Sequence, residues 1–135
     1  MRTAVYRQEQ FCATHRLHNP NWDDEKNARV FGKCNNPDYH GHNYKLTVKI
    51  TGEIDPETGY VFDAKQLKML IEKNVIDRYD HKNLYTDVGD FANMNPTSEN
   101  IAKTIYANLR KEIDTRFELQ IQLHETDKIW VEYPA

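Results

Sequence analysis

The stretch CNNPDYHGHNYKLTVKI, residues 34–50, passes from a polar loop into a strand. From Tyr44 the alternation is strict. Tyr44, Leu46, Val48 and Ile50 fall on one side and Lys45, Thr47, Lys49 and Thr51 on the other, the period of a strand with one buried face. Counting back by twos from Tyr44 reaches His42 and then His40. Both imidazoles, separated only by Gly41, therefore share the face that carries the core residues.

Working outward, residues 4–17 read as a second strand, with Val5, Phe11, Ala13, His15 and Leu17 on one parity and Cys12 on the other, where it reads as a small packed residue. Between the strands, residues 19–38 are polar and rich in Asn, Asp and Pro, which predicts a long loop. After the strand over 40–54 comes the turn DPETG at 55–59. Asp63 is placed to cap a helix with Leu67, Leu70, Ile71 and Val75 inward and Gln66 at the capping-box position. A second irregular stretch runs from Tyr79 to Pro96. TSEN then opens a helix with Ile101, Ile105, Tyr106, Leu109 and Ile113 inward. Two strands close the chain, Leu119, Ile121 and Leu123 alternating on one and Ile129, Val131 and Tyr133 on the other, joined by the ETDK turn. The order β-β-α-α-β-β predicts an α+β fold, a sheet with its helices on one face.

The chain has 135 residues, enough for one domain with a real core, so residues 1–135 are expected to form a single unit. Charged residues make up 29% and the net charge is −3 with no basic block, which argues against a nucleic-acid partner. MRTAVYRQEQ carries no apolar run and so predicts no signal peptide. No stretch approaches the roughly 18 apolar residues of a membrane span. The cysteines, Cys12 and Cys34, form no disulfide framework, and a cytoplasmic location is expected.

Four ionisable residues occupy core parity: His15 after Phe11 and Ala13, His40 and His42 before Tyr44, and Glu125 after Leu119, Ile121 and Leu123. A charge buried there costs several kcal/mol unless it is paired or neutralised. One such histidine is ordinarily a core residue bonded to a carbonyl. An H-x-H pair on a strand, with its rings about 6.5–7 Å apart at the backbone, suits two vertices of a metal tetrahedron. His15 would supply a third nitrogen if its strand pairs with the second. Three histidines fit a catalytic zinc that keeps a position open, whereas Cys34 as a fourth ligand would make the zinc structural. Asp80-His81 reads either as a carboxylate orienting an imidazole or as a loop pair near a turn. Glu125 reads either as a site carboxylate or as an edge residue at a turn. Thr97 and Glu99 have an adequate explanation as helix-capping residues. His18 and His124 are given no role.

The segments FCATHRL, FGKCNNPDYHGHNY, GEIDPETG, YDHKNL, PTSENIA and LHETD resemble, in order and spacing, the 6-pyruvoyl-tetrahydropterin synthase family, over essentially the whole chain from Phe11 to Tyr133. The resemblance implies the tunnelling fold, an antiparallel four-stranded sheet with two helices on one face, and assembly through sheet edges into trimers that stack as a homohexamer. It implies zinc held by His15, His40 and His42, Cys34 as the proton-abstracting base, and Asp80 and His81 as the relay that helps ionise it. Glu125 would anchor the pterin ring, with Thr97 and Glu99 nearby, in a pocket completed at a subunit interface. The implied reaction is that of a lyase of tetrahydropterin biosynthesis, converting 7,8-dihydroneopterin triphosphate to 6-pyruvoyl-tetrahydropterin with loss of triphosphate. The related 6-carboxytetrahydropterin synthases of queuosine biosynthesis act on the same substrate and release acetaldehyde. Many of those have a shorter loop before the histidine pair than NNPDY here, which favours the pyruvoyl product. The reading in another class is a non-catalytic pterin-binding or oligomerising module with structural zinc.

Overall fold

The computed structural model describes residues 1–135. Its frame is a five-stranded sheet in the order β3-β1-β2-β4-β5. The two long strands, β1 (Arg2–His15) and β2 (His40–Glu53), pair antiparallel along their whole length. Their register sets Phe11 opposite Tyr44, Ala13 opposite His42 and His15 opposite His40. β4 (Glu118–His124) runs antiparallel to β2, with Leu46 facing Leu123, Val48 facing Ile121 and Ile50 facing Leu119, and β5 (Trp130–Tyr133) closes the other side. Tyr44, Leu46, Val48, Ile50, Ile121 and Leu123 are fully buried, so the alternation read from the sequence is the core face of the sheet.

Helices cover that face. α2 (Ala64–Ile71) starts at Asp63, whose carboxylate accepts from Lys65 N at 2.9 Å, and runs through a π-helical turn (Glu72–Ile76) into the short α3 (Asp77–Tyr79). Leu67, Ile71, Val75 and Tyr79, spaced by four, are all buried. A regular 3.6-residue helix would rotate such a series off the core face, and the wider π turn brings it back. α4 (Ser98–Arg110) is capped by Thr97, whose hydroxyl accepts from Asn100 N at 3.2 Å, and buries Ile101, Ala102, Ile105 and Leu109. No helix is long and apolar enough to cross a membrane.

Four features differ from the sequence reading. The sheet has a fifth strand, β3 (Lys82–Asn83), which pairs parallel with Ala13 and Thr14, so the sheet is mixed rather than wholly antiparallel. The first strand stops at His15 instead of Leu17, and Leu17 instead bonds through its amide to the Cys34 carbonyl. The 19–38 segment is not all loop. It holds α1 (Asp24–Phe31), capped by Asp23 and ended at Gly32, whose φ of 57° is cheap only for glycine. A single-turn 3₁₀ helix, Gly32–Asn35, follows. Cys12, expected to be packed, is exposed on the outer face of the sheet, which no helix covers.

The only buried residue of α1 is Asn27. Its side-chain oxygen accepts from Asn19 N at 2.7 Å, and its amide donates to the carbonyls of Asn19 and Asp23 at 3.0 Å. A polar hub therefore does here what an apolar stripe does elsewhere. Asn27→Ala should cost about 1–3 kcal/mol. Faster hydrogen exchange confined to residues 19–31, with β2 still protected, is the expected result.

Candidate metal centre and active site

The register of β1 on β2 brings three imidazoles to one end of the core face. His15 is 1% exposed, and its Nδ1–H donates to the Pro96 carbonyl at 2.9 Å, which leaves the Nε2 lone pair pointing into the site. Nε2 of His40 lies 3.3 Å from Nε2 of His15 and 2.9 Å from Nε2 of His42. The ring of His15 stands nearly perpendicular to the other two. Tyr44 packs behind, its hydroxyl 3.4 Å from His15 Nδ1.

Glu125 completes the group. It lies one residue beyond β4, where the β2–β4 register carries it level with Tyr44. Its Oε1 is 2.8 Å from His42 Nε2 and 4.0 Å from His15 Nε2, and Oε2 accepts from Ser98 Oγ at 2.7 Å. The four donor atoms, from His15, His40, His42 and Glu125, all lie within 4.8 Å of one another.

This donor set fits a metal ion. A tetrahedral ion with metal–nitrogen distances of about 2.0–2.1 Å spaces its ligands roughly 3.3–3.4 Å apart, close to the separations seen. Ligation also needs neutral imidazoles. Burial lowers the pKa of His15, against the Pro96 bond that raises it. Burial likewise lowers that of His42, against the raising effect of the Glu125 carboxylate. Nδ1 of His40 is buried with no partner within the chain.

Cys34 is carried on the 3₁₀ turn and sets its Sγ 3.8 Å from His40 Nε2. It stands beside the four converging donors and is not one of them. Burial raises the thiol pKa, and the nearby Glu125 carboxylate raises it further.

Asp80 and His81 form a pair, Oδ2 to Nδ1 at 3.0 Å, but at the edge of the sheet. Asp80 Oδ1 accepts from Cys12 N at 2.8 Å, and His81 is 82% exposed. The Cys12 amide, foremost, holds the Asp80 carboxyl below its ordinary range. Neither residue bonds to Cys34 or to the three histidines. Thr97 caps α4, and Glu99 lies exposed in its first turn. Ser98 between them was missed in the sequence reading. It is 5% exposed and holds Glu125, and nothing in a TSEN capping run distinguishes it from its neighbours. A concavity of about 790 Å³ lies at the other end of the sheet, between Glu53 and Phe117, and is lined by no histidine or cysteine.

Residues 4–135 match the family model described as 6-pyruvoyl tetrahydropterin synthase. The chain belongs to that family. It is 46% identical over 129 residues to the 6-pyruvoyl tetrahydrobiopterin synthase of Poecilia reticulata, covering 96% of this chain and 88% of the relative. To the human protein of that name it is 44% identical over 129 residues, covering 96% and 89%. The solved structure of the Caenorhabditis elegans 6-pyruvoyl tetrahydropterin synthase superposes with a TM-score of 0.93 at 36% identity, covering 100% of this chain and 96% of that one.

The depressed histidines set a sign for pH. His15 and His42 titrate lower folded than unfolded. Their contribution to stability is present above the unfolded value of about 6.5 and is lost as pH falls through the folded values. With a chelator present, the urea midpoint should be lower at about pH 5.5 than at about pH 7.5. A His15→Asn, His42→Asn double variant should flatten that difference.

Proposed function

We propose that this chain is a zinc-dependent carbon–oxygen lyase that converts 7,8-dihydroneopterin triphosphate to 6-pyruvoyl-tetrahydropterin and releases triphosphate. The observation that carries the reading is the convergence of three imidazole Nε2 atoms beside a thiol and a half-buried carboxylate. His15, His40 and His42 are the residues that would hold the ion. When bound, zinc supplies Lewis acidity to the side-chain hydroxyls and so acidifies the neighbouring C–H bonds.

Cys34 is the base. Its thiolate takes a proton from a side-chain carbon, and hydrogen shifts within the substrate as triphosphate leaves. The side chain ends as a dicarbonyl and the pterin ring is reduced, so electrons balance without an external oxidant. Glu125 accepts from the pterin N–H groups, a charge-assisted bond that orients the ring, while Ser98 holds its second oxygen. Thr97 and Glu99, at the start of α4, are placed to border the ring. Asp80 and His81 supply the relay toward the Cys34 thiol from a neighbouring subunit. Two features support that arrangement: the pair is mounted facing outward, and both sheet edges are open. β3 covers only Ala13 and Thr14 of β1, and β5 has no outer partner. Unpaired edges of this kind invite strand pairing with another chain, consistent with a homohexamer of two trimers.

Four variants test these roles, with zinc content and turnover measured on one preparation. Cys34→Ala should keep metal and assembly and lose on the order of 10²–10⁴ in rate. Loss of zinc together with activity would instead make Cys34 a ligand. His40→Ala or His42→Ala should remove most of the zinc and all activity, and full occupancy in either defeats the metal assignment. Glu125→Gln should leave zinc bound and weaken substrate binding by about 1.5–3 kcal/mol. Mass spectrometry of the pterin product with an acetaldehyde assay separates the pyruvoyl reaction from the carboxy one, and acetaldehyde would overturn the product assignment.

A further inference from the structure

Cys34 sits on a turn that has no apolar anchor of its own. The 3₁₀ helix Gly32–Asn35 buries none of its four residues and has no side-chain cap. A turn mounted in that way would let the thiol wander, yet the proposed chemistry needs Sγ held beside His40. The segment that follows β1 supplies the mounting. Leu17 N donates to the Cys34 carbonyl at 2.8 Å, and Arg16 Nε donates to the Asn35 carbonyl at 3.1 Å. The Asn35 side-chain amide returns two bonds, to the Leu17 carbonyl at 2.8 Å and to His18 Nδ1 at 3.0 Å. His18 is tied in turn, its backbone N–H donating to Asn95 Oδ1 at 2.9 Å.

Residues 16–18 continue directly from His15. The strand that delivers a metal-ligating nitrogen therefore also fixes the turn that delivers the thiol. Asn35 is the one side chain in this clamp that bonds the 16–18 segment twice, and it is the immediate neighbour of Cys34. We infer that Asn35, assisted by Arg16, is a positioning residue for the proposed reaction: its amide locks the Cys34 turn onto the extension of β1 and so sets the distance between thiol and histidine cluster. The inference rests on Cys34 being the base. The Asn35 side chain makes its hydrogen bonds to Leu17 and His18 and none to the three ligand histidines or to Glu125, so its effect runs through Cys34. An aspartate there keeps the shape and volume but has no donor, so it loses the bond to the Leu17 carbonyl, while its carboxylate can still accept from His18 in the Nδ1–H tautomer.

The test compares the zinc-loaded parent with Asn35→Ala, Asn35→Asp and Arg16→Ala. Misplacement by about 1 Å costs roughly 10- to 100-fold in rate. Both Asn35 variants should lose that much kcat, with KM within about twofold and zinc content unchanged, because proton abstraction is disturbed and substrate and metal binding are not. A merely structural role would lower zinc content and folded yield and raise KM together. The second readout does not depend on turnover. Alkylation of Cys34 by iodoacetamide, followed by peptide mass spectrometry, is read against exposed Cys12 in the same sample. Release of the turn should raise the Cys34 rate several-fold relative to Cys12. Unchanged kcat in Asn35→Asp, or an unchanged Cys34-to-Cys12 ratio, overturns the inference. If Asn35→Ala does not fold, Arg16→Ala, which removes one clamp bond, is read by the same two measurements. If Cys34→Ala stays active while alkylation still responds to Asn35, the base assignment fails and the clamp stands.

Discussion

The pairing of β1 with β2 is the constraint on which everything else hangs. A slip of one residue would turn His15 to the outer face while His40 and His42 stayed inward, and the three nitrogens would no longer meet. What prevents that slip lies away from the histidines. Phe11 stacks on Tyr44 with ring centroids 5.0 Å apart, and Leu46, Val48 and Ile50 continue the buried row, locked between the two flanking strands. Each such side chain contributes roughly 1.5–3 kcal/mol of burial. That row sets the geometry of a polar cluster which, taken alone, is costly to bury.

Glu125 governs the electrostatics of the cluster. Its carboxylate works to raise the pKa of His15 and His42, of the Cys34 thiol and of the Tyr44 hydroxyl, which burial and this neighbour push far up. Within the chain alone the field favours a protonated thiol. A dication held by the three imidazoles would work against that balance, because a nearby positive charge stabilises the thiolate. It would also change what Glu125 can do. Oε1 now faces His42 Nε2 at 2.8 Å, a bond that requires a proton on that nitrogen. With His42 Nε2 holding an ion, that nitrogen would carry no proton, and Oε1 would be free for other N–H donors.

The sequence disclosed what repeats and missed what does not. The strands were legible because Tyr44 to Ile50 and Leu119 to Leu123 alternate without a break, and the histidines and Glu125 stood out only against that alternation. α1 was invisible because its anchor is Asn27, a polar residue whose bonds go to nearby backbone and leave no apolar period. β3 is two residues long, too short for any pattern. Ser98 acts through one hydrogen bond and Asn35 through two, all to partners distant in sequence, and such bonds have no spacing to read. For Cys12 the parity was right and the burial wrong, because parity says which side of a sheet a residue takes and not whether that side is covered.

Asp80 and His81 show the same limit from the other direction. Their adjacency was plain in the sequence, but their placement follows from the tertiary fold. His81 adopts a left-handed φ of 60°, unfavourable for a non-glycine residue. It is held there by its amide bond to the Cys12 carbonyl and by Asp80 receiving the Cys12 amide. Strain fixed this firmly at an exposed imidazole marks a group that is presented rather than packed. Within the chain, burial and the Glu125 carboxylate both push the Cys34 thiol up, and the Asp80–His81 pair stands apart from it at the sheet edge.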